Sequence, residues 1–231
     1  MADYDVIIAG GGLAGTIAAQ SVSHYSNQGL KILVIDRNPS NLPGMKSIAG
    51  WVCGDAVSKE AVDFMSNRIK VNWSEPEIEH KVKGVMAFSP DRETSIPFDG
   101  AGYMLNRQVL PQRQNERTLA MGVDFDFEIN LTGLLYDGNQ VVGVQGIDYK
   151  TKTPYKKTAK VVIDATGMTS MLRNQISNTT KMERKVDRKD VESTGRHIMH
   201  FDQGEEDLTE FDENYCIIHL DQDIAPGGYG W

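Results

Sequence analysis

The sequence predicts an α/β fold, and three observations predict it. An apolar strand, Tyr4 to Ala9, runs into Gly10-Gly-Gly12-Leu-Ala-Gly15 and then into a helix over about 13–28. A second apolar strand, Lys31 to Ile35, completes a βαβ opening, which implies a parallel sheet. From Val123 to Ile163 the pattern changes to a β-meander, with Asp137-Gly138-Asn139 as a turn.

Composition bounds the rest. A chain of 231 residues can bury a substantial core in one large or two interleaved domains. The net charge of −8 argues against nucleic acid as the main partner. No run of 18 or more apolar residues suggests a membrane span, and nothing at the N-terminus reads as a leader. Two cysteines, Cys53 and Cys216, suit a reducing cytoplasm and no disulfide framework.

Between these landmarks, residues 36–54 read as a long loop rich in Pro, Gly, Asn and Ser, and a loop of that length usually has a task. Residues 55–67 suit a helix, 82–98 a hairpin turning at Ser89-Pro90-Asp91, and 106–121 a helix broken or kinked by Pro111. Lys160 to Asp164 is a further apolar strand ending in Ala165-Thr166-Gly167, and a helix is expected from there to about residue 176. Residues 196–201 and 215–220 read as strands around an acidic loop.

Gly10, Gly12 and Gly15 match G-x-G-x-x-G between a strand and a helix, the Rossmann-like arrangement for a dinucleotide. The first glycine makes the tight turn, the second lets backbone approach a pyrophosphate, and the third lets helix pack on strand. Leu13 and Ala14 open the helix, whose N–H groups and positive dipole end face the phosphates. Asp36, at the end of the second strand and followed by Arg37, can accept hydrogen bonds from ribose hydroxyls. NAD or FAD would satisfy this much. FAD is favoured because a long loop and a β-meander follow where a nicotinamide domain would continue with βαβ units, and because Asp164 to Gly167 returns a glycine-ended strand to the sheet. No metal site is expected: His197 and His200 lie three apart on a probable strand with no third ligand. The basic run Lys150, Lys152, Lys156, Lys157 and Lys160 fits a solvated turn or a contact with lipid phosphates.

Nearly the whole chain resembles the FAD-dependent flavoproteins that include the aromatic-ring hydroxylases. That resemblance implies that Asp164 and Gly167 form a second dinucleotide-contacting segment and that Arg107 approaches the flavin side. Two further stretches resemble geranylgeranyl reductases: Lys46 to Ser58, around Cys53-Gly54, and Pro226-Gly-Gly-Tyr229-Gly-Trp231, which is similar to the start of a P-x-x-Y-x-W-x-F-P motif. Asp55 stands where those reductases carry a glycine after Cys-Gly. The resemblance implies an FAD-binding domain over 1–75 and 104–176 and a β-rich substrate domain over 76–103 and 177–231, with a truncated end and a third flavin-contacting segment beyond residue 231. It implies a prenyl lipid substrate, an electron donor that is either NAD(P)H or ferredoxin, and peripheral membrane contact. Trp51, Tyr229 and Trp231 are then candidates for an apolar substrate slot, or else core aromatics. Cys53 and Gly54 would sit by the flavin. Cys53, or a water held near it, is a candidate acid, or else Cys53 is a small buried hydrophobe. Two other functions stay open at this point: an FAD monooxygenase of the same fold, and a nucleotide-binding module without catalysis.

Overall fold

A computed structural model describes residues 2–41, 54–168, 170–176, 182–191, 193–197 and 211–231. In chain order its elements are β1 (Tyr4–Ala9), α1 (Leu13–Tyr25), β2 (Ile32–Ile35), β3 (Ala56–Ser58), α2 (Lys59–Ile69), β4 (Ile78–Phe88), β5 (Ser95–Leu105), α3 (Leu110–Ala120), β6 (Asp124–Asp126), β7 (Ile129–Asp137), β8 (Gln140–Asp148), β9 (Pro154–Asp164) and β10 (Tyr215–His219). They form two compact units, Met1–Trp51 with Gln108–Val191 and Val52–Arg107 with Glu192–Trp231.

The first unit is built on a six-stranded sheet in the order β6-β2-β1-β9-β8-β7. Strands β6, β2, β1 and β9 run parallel; β9, β8 and β7 form an antiparallel meander. Ile7, Ile8, Leu33 and Val34 are fully buried. Strands covered on both faces read as unbroken apolar runs, which is why β1 and β2 stand out in the sequence. Burial of each such side chain stabilises the fold by roughly 1.5–3 kcal/mol. Strand β6, expected to open the meander, pairs instead with β2 in register Leu33↔Asp124, and so widens the parallel sheet.

Helix α1 ends at Tyr25, a turn before the expected limit. Asn27 and Gln28 take left-handed φ of 51° and 58°, and Gln28 N–H donates back to the Ser23 carbonyl at 2.8 Å, closing the helix. Helix α3 corrects the expectation of a break at Pro111. Proline lies in the first turn, where its missing N–H has no intrahelical partner to lose, so it starts the helix. The two helices are joined by polar groups: fully buried Gln20 donates to Thr118 Oγ1 at 2.9 Å, and Ser23 donates to the Met121 carbonyl at 2.7 Å. Leaving such a buried group unpaired would cost about 1–3 kcal/mol. The helix expected after Gly167 is reduced to a 3₁₀ turn, Arg173–Gln175. Here the Ser170 hydroxyl accepts from Arg173 N–H and the Asn174 amide donates to the Ser170 carbonyl, local bonds that compete with an α-helical ladder.

The second unit holds a four-stranded sheet, β10-β4-β5-β3. Its hairpin, β4 and β5, is longer than the expected 82–98, and β10 runs parallel to β4. The helix expected from residue 55 starts only at Lys59. Residues 56–58 instead pair with β5, and Ser58 caps α2 by accepting from Ala61 N–H at 3.2 Å. That pairing places residues 54–75 with the second unit, where the sequence reading set them with the first. Residues 193–197 form no strand, and 198–201 lie outside the described residues. Among the described residues, no helix is long and apolar enough to cross a membrane, and no group of three or more His, Cys, Asp or Glu gathers as a metal would require.

Candidate functional site: a glycine-lined cleft and an aromatic pair

The turn between β1 and α1 shows three glycines with three different reasons. Gly10 has φ +105°, and a Cβ there would lie 2.3 Å from the Ala165 carbonyl oxygen at the end of β9. A Cβ on Gly15 would meet the Gly10 carbonyl oxygen at 1.8 Å. These two positions are glycine so that helix, turn and strand can close on one another. Gly12 differs: a Cβ would meet nothing within 4 Å. Its side faces a cleft of about 640 Å³, within the range of small-molecule sites.

Of the expected cofactor residues, Gly10, Gly12, Leu13, Ala14, Asp36, Arg37 and Gly167 line this cleft. Gly15 and Asp164 are not among its lining residues. Thr166, within the expected segment 164–167, lines it too, whereas the sequence reading did not single out Asn38, Met171 and Leu172, nor Ile129, Asn130 and Leu131 at the start of β7. The last three carry no motif, because they reach the cleft through the meander's path over the sheet. Only the alternation of apolar residues there gave a hint.

The cleft fits a dinucleotide on its own features. No side chain caps α1, and no acidic residue stands in its first turn, so the helix offers N–H groups and the positive end of its dipole to an anion. The space over Gly12 is room for phosphate that any side chain would take up. Asp36, 5% exposed, has a second task that the motif does not announce. Its Oδ2 accepts from Gly11 N–H at 2.6 Å and its Oδ1 from Asn38 N–H at 2.7 Å, so it ties the glycine turn to the end of β2. Gly11 has its own reason to be glycine: a Cβ would lie 2.9 Å from that carboxylate.

Asp164 shapes the opposite wall. Its carboxylate accepts from the Ser170 hydroxyl, from the Thr166 hydroxyl at 2.6 Å and from Thr166 N–H at 3.0 Å, while Gly167 turns with φ +86°. Burial alone would raise its pKa. The bonds from Ser170 and Thr166 outweigh that and hold the carboxyl below its ordinary value.

The second unit holds the other candidates. Arg107 is buried, with Nε 3.5 Å from Asp55 Oδ1; Arg196 Nη2 lies 2.9 Å from Asp55 Oδ2. Asp55 has φ +64°, so the backbone keeps a glycine-like conformation at the position where the resembling reductases carry glycine. Burial pushes the Asp55 carboxyl pKa up, against the pull of Arg196 and Arg107. Tyr229 and Trp231 form an edge-to-face pair at 6.1 Å, and the Trp231 indole covers Gly54. Trp51 and Cys53 lie outside the described residues.

The fold and the cleft define a dinucleotide-binding protein, and the comparisons give its family. The profile of the FAD dependent oxidoreductase family matches residues 5–208, and the chain belongs to that family. FAD is its cofactor, consistent with the fit of the cleft. The chain is 33% identical over 232 residues to the digeranylgeranylglycerophospholipid reductase of Sulfolobus acidocaldarius, covering 99% of this chain and 47% of that one. It is 24% identical to the enzyme of the same name from Methanosarcina acetivorans, covering 99% and 51%. The chain thus spans about half the length of the curated relatives it matches. Among solved structures, a geranylgeranyl bacteriochlorophyll reductase-like protein from Thermoplasma acidophilum shares the fold, with a TM-score of 0.72, 23% identity, and coverage of 98% of this chain and 52% of that one. A variant of the halogenase PltM in complex with FAD matches more loosely, at a TM-score of 0.51 and 19% identity over 72% of this chain and 35% of that one.

Proposed function

We propose that this chain belongs to an FAD-dependent reductase that saturates C=C bonds in the geranylgeranyl chains of membrane lipid precursors. The observation that carries the reading is the 33% identity to the Sulfolobus acidocaldarius reductase along 99% of this chain. The Tyr229–Trp231 pair, at the segment where the sequence resembles those reductases, supports it.

In this reading the first turn of α1 and Gly12 hold the pyrophosphate, and Asp36 and Arg37 meet the adenosine side. The Asp164-ordered turn at Gly167 closes the site, and Arg107 and the Cys53-Gly54 segment contact the flavin. When bound and reduced, FAD supplies a hydride from N5 to one alkene carbon. The other alkene carbon takes a proton. An isolated alkene has no carbonyl to polarise, so placement of that proton matters greatly, and Cys53, or a water held near it, is a candidate donor. Trp51, Tyr229 and Trp231 line the path of the hydrocarbon, where apolar walls gain about 0.8 kcal/mol per buried CH₂. The electron donor is NAD(P)H or ferredoxin, and the lipid is met by peripheral contact with the membrane surface.

The test is anaerobic. The flavoprotein is reduced, a geranylgeranyl lipid is added, and the flavin spectrum and the lipid mass are followed. Return of the oxidised spectrum with a gain of two hydrogens per reduced bond is expected. A flavin that stays reduced with the lipid, yet turns over oxygen with a phenolic substrate, would replace this reading with a hydroxylase.

A further inference from the structure

Strand β7 carries an irregularity beside the cleft. Its pairing with β8 runs from Ile129↔Asp148 to Leu131↔Gly146 and resumes at Gly133↔Gln145, which leaves Thr132 as an extra residue in a β-bulge. Among the described strands β7 pairs with β8 alone, so its other edge has no strand to bond to. One side chain serves that edge at the bulge. Gln175 Nε2 donates to the Thr132 carbonyl at 2.8 Å, and Gln175 Oε1 accepts from Leu134 N–H at 3.2 Å. These are the donor and acceptor that a neighbouring strand would otherwise supply. Gly133, between the two, leaves room for the amide: a Cβ there would lie 3.0 Å from Gln175 Oε1. The Tyr136 hydroxyl adds a third bond, donating to the Gln175 carbonyl at 2.9 Å. One residue thus grips β7 at 132, 134 and 136.

Both partners in that grip lead into the cleft. Ile129, Asn130 and Leu131 line it just before Thr132, and Met171 and Leu172 line it just before the Arg173–Gln175 turn. Ile129 N–H donates to the Asp36 carbonyl at 3.0 Å, which puts this wall beside the candidate ribose partner. The segment after β9 is anchored in three places. Asp164 accepts from Thr166 and Ser170 at its start. Leu172 then joins the buried cluster that holds Ile129 and Leu134, and Arg173 Nη2 donates to the Met168 carbonyl at 2.9 Å. The Gln175 amide is the last anchor. Met171, 61% exposed, lines the cleft between the first anchor and the last.

We infer that Gln175 is a positioning residue for the cofactor: its side-chain amide, seated on the bulge at Gly133, fixes Met171 and Leu172 against Ile129, Asn130 and Leu131, and so shapes the wall that receives the adenosine end of FAD. Gln175 is not itself among the residues that line the cleft, so it acts through them. The inference rests on the cleft as the seat of the dinucleotide. Without the amide the segment beyond Ser170 loses its last anchor, and the ligand has to order it on binding, at a cost in affinity.

The experiment titrates the apo form of the whole flavoprotein with FAD and with ADP, which carries the adenosine end alone. Gln175→Met keeps the length of the side chain and removes both donor and acceptor; the position is exposed, so the variant folds. It should weaken FAD and ADP by the same factor, about tenfold, the change that one or two lost neutral hydrogen bonds produce. The visible spectrum of the bound flavin should not move. Gly133→Ala should weaken both ligands with Gln175 intact, because the methyl displaces the amide. The double variant should bind about as well as the weaker single variant, since both changes act through one contact. A merely structural glutamine would lower the melting temperature and leave the affinity of the folded protein alone. Unchanged FAD and ADP affinity in Gln175→Met, losses that add in the double variant, or a wild type that binds FAD but not ADP each overturn the inference. If Gly12→Val still abolishes FAD binding in those cases, the cleft reading stands; a Gly12→Val protein that binds both ligands like wild type overturns the two together.

Discussion

The glycine turn of the first unit and the Gly54–Trp231 contact of the second are assembled by opposite means. In the turn, Gly10, Gly12 and Gly15 lie within six residues of one another, and strand, turn and helix follow in chain order. In the second unit, a glycine at 54 meets a tryptophan at 231, through a β-bridge at 219 and 230. The first is a local solution that a spacing can encode. The second exists only once β10 has laid itself parallel to β4 and His219 has bridged to Gly230. The difference separates what a motif states from what a topology assembles.

The strongest way to break the first half of that comparison is to crowd the turn. Gly15→Ala should destabilise the protein by roughly 3 kcal/mol or more, because its Cβ would strike the Gly10 carbonyl and neither backbone can retreat. Denaturant unfolding of the variant measures this. A loss under about 1 kcal/mol would mean that the turn is more pliant than its close contacts imply.

Asp36→Ala should give the next largest effect, and on two readouts at once. Losing a charged acceptor for Gly11 N–H and Asn38 N–H should lower stability by about 1–3 kcal/mol. FAD binding should weaken by a similar amount, about 1–3 kcal/mol, with turnover restored at saturating flavin. Weakened FAD binding at unchanged stability would show that the carboxylate serves the ribose alone and does not brace the turn.

The smallest effect is electrostatic. Asp164 has a folded pKa below the ordinary 3.8, so its contribution to stability is present above 3.8 and lost as pH falls through the lower folded value. Asp164→Asn should therefore be less stable than wild type near neutral pH. The gap should close as the solution is taken below pH 3.8. A gap that stays constant across that range would remove the charge from the account of the turn at Gly167.

How much of this was legible in the sequence follows from the same contrast. Apolar runs marked β1, β2 and β9, and the glycine spacing marked the turn, because each of these needs only neighbours in the chain. Pro111 misled because a proline inside a helical pattern and a proline opening one look alike until the N-terminus is located. Residues 56–58 were expected in a helix because Ser58 and the residues after it suit one, whereas the pairing partner that claims 56–58 lies at 102–104. Spacing singled out Asp36 as a candidate ribose partner, but could not show its bond to Gly11, since nothing in spacing says which way a carboxylate turns. Ile129, Asn130 and Leu131 reached the cleft with no signal beyond alternation.

The central claim is that the cleft over Gly12 holds the dinucleotide's phosphates, and Gly12→Val tests it most directly. A Cβ at this position meets nothing within 4 Å, so the variant should fold with little loss of stability. The branched side chain would then occupy the space the phosphates need. Equilibrium titration of the folded apoprotein with FAD should show affinity falling by about 3 kcal/mol or more, on the order of several lost charge-assisted hydrogen bonds. A Gly12→Val protein that folds and binds FAD as tightly as wild type would contradict the account.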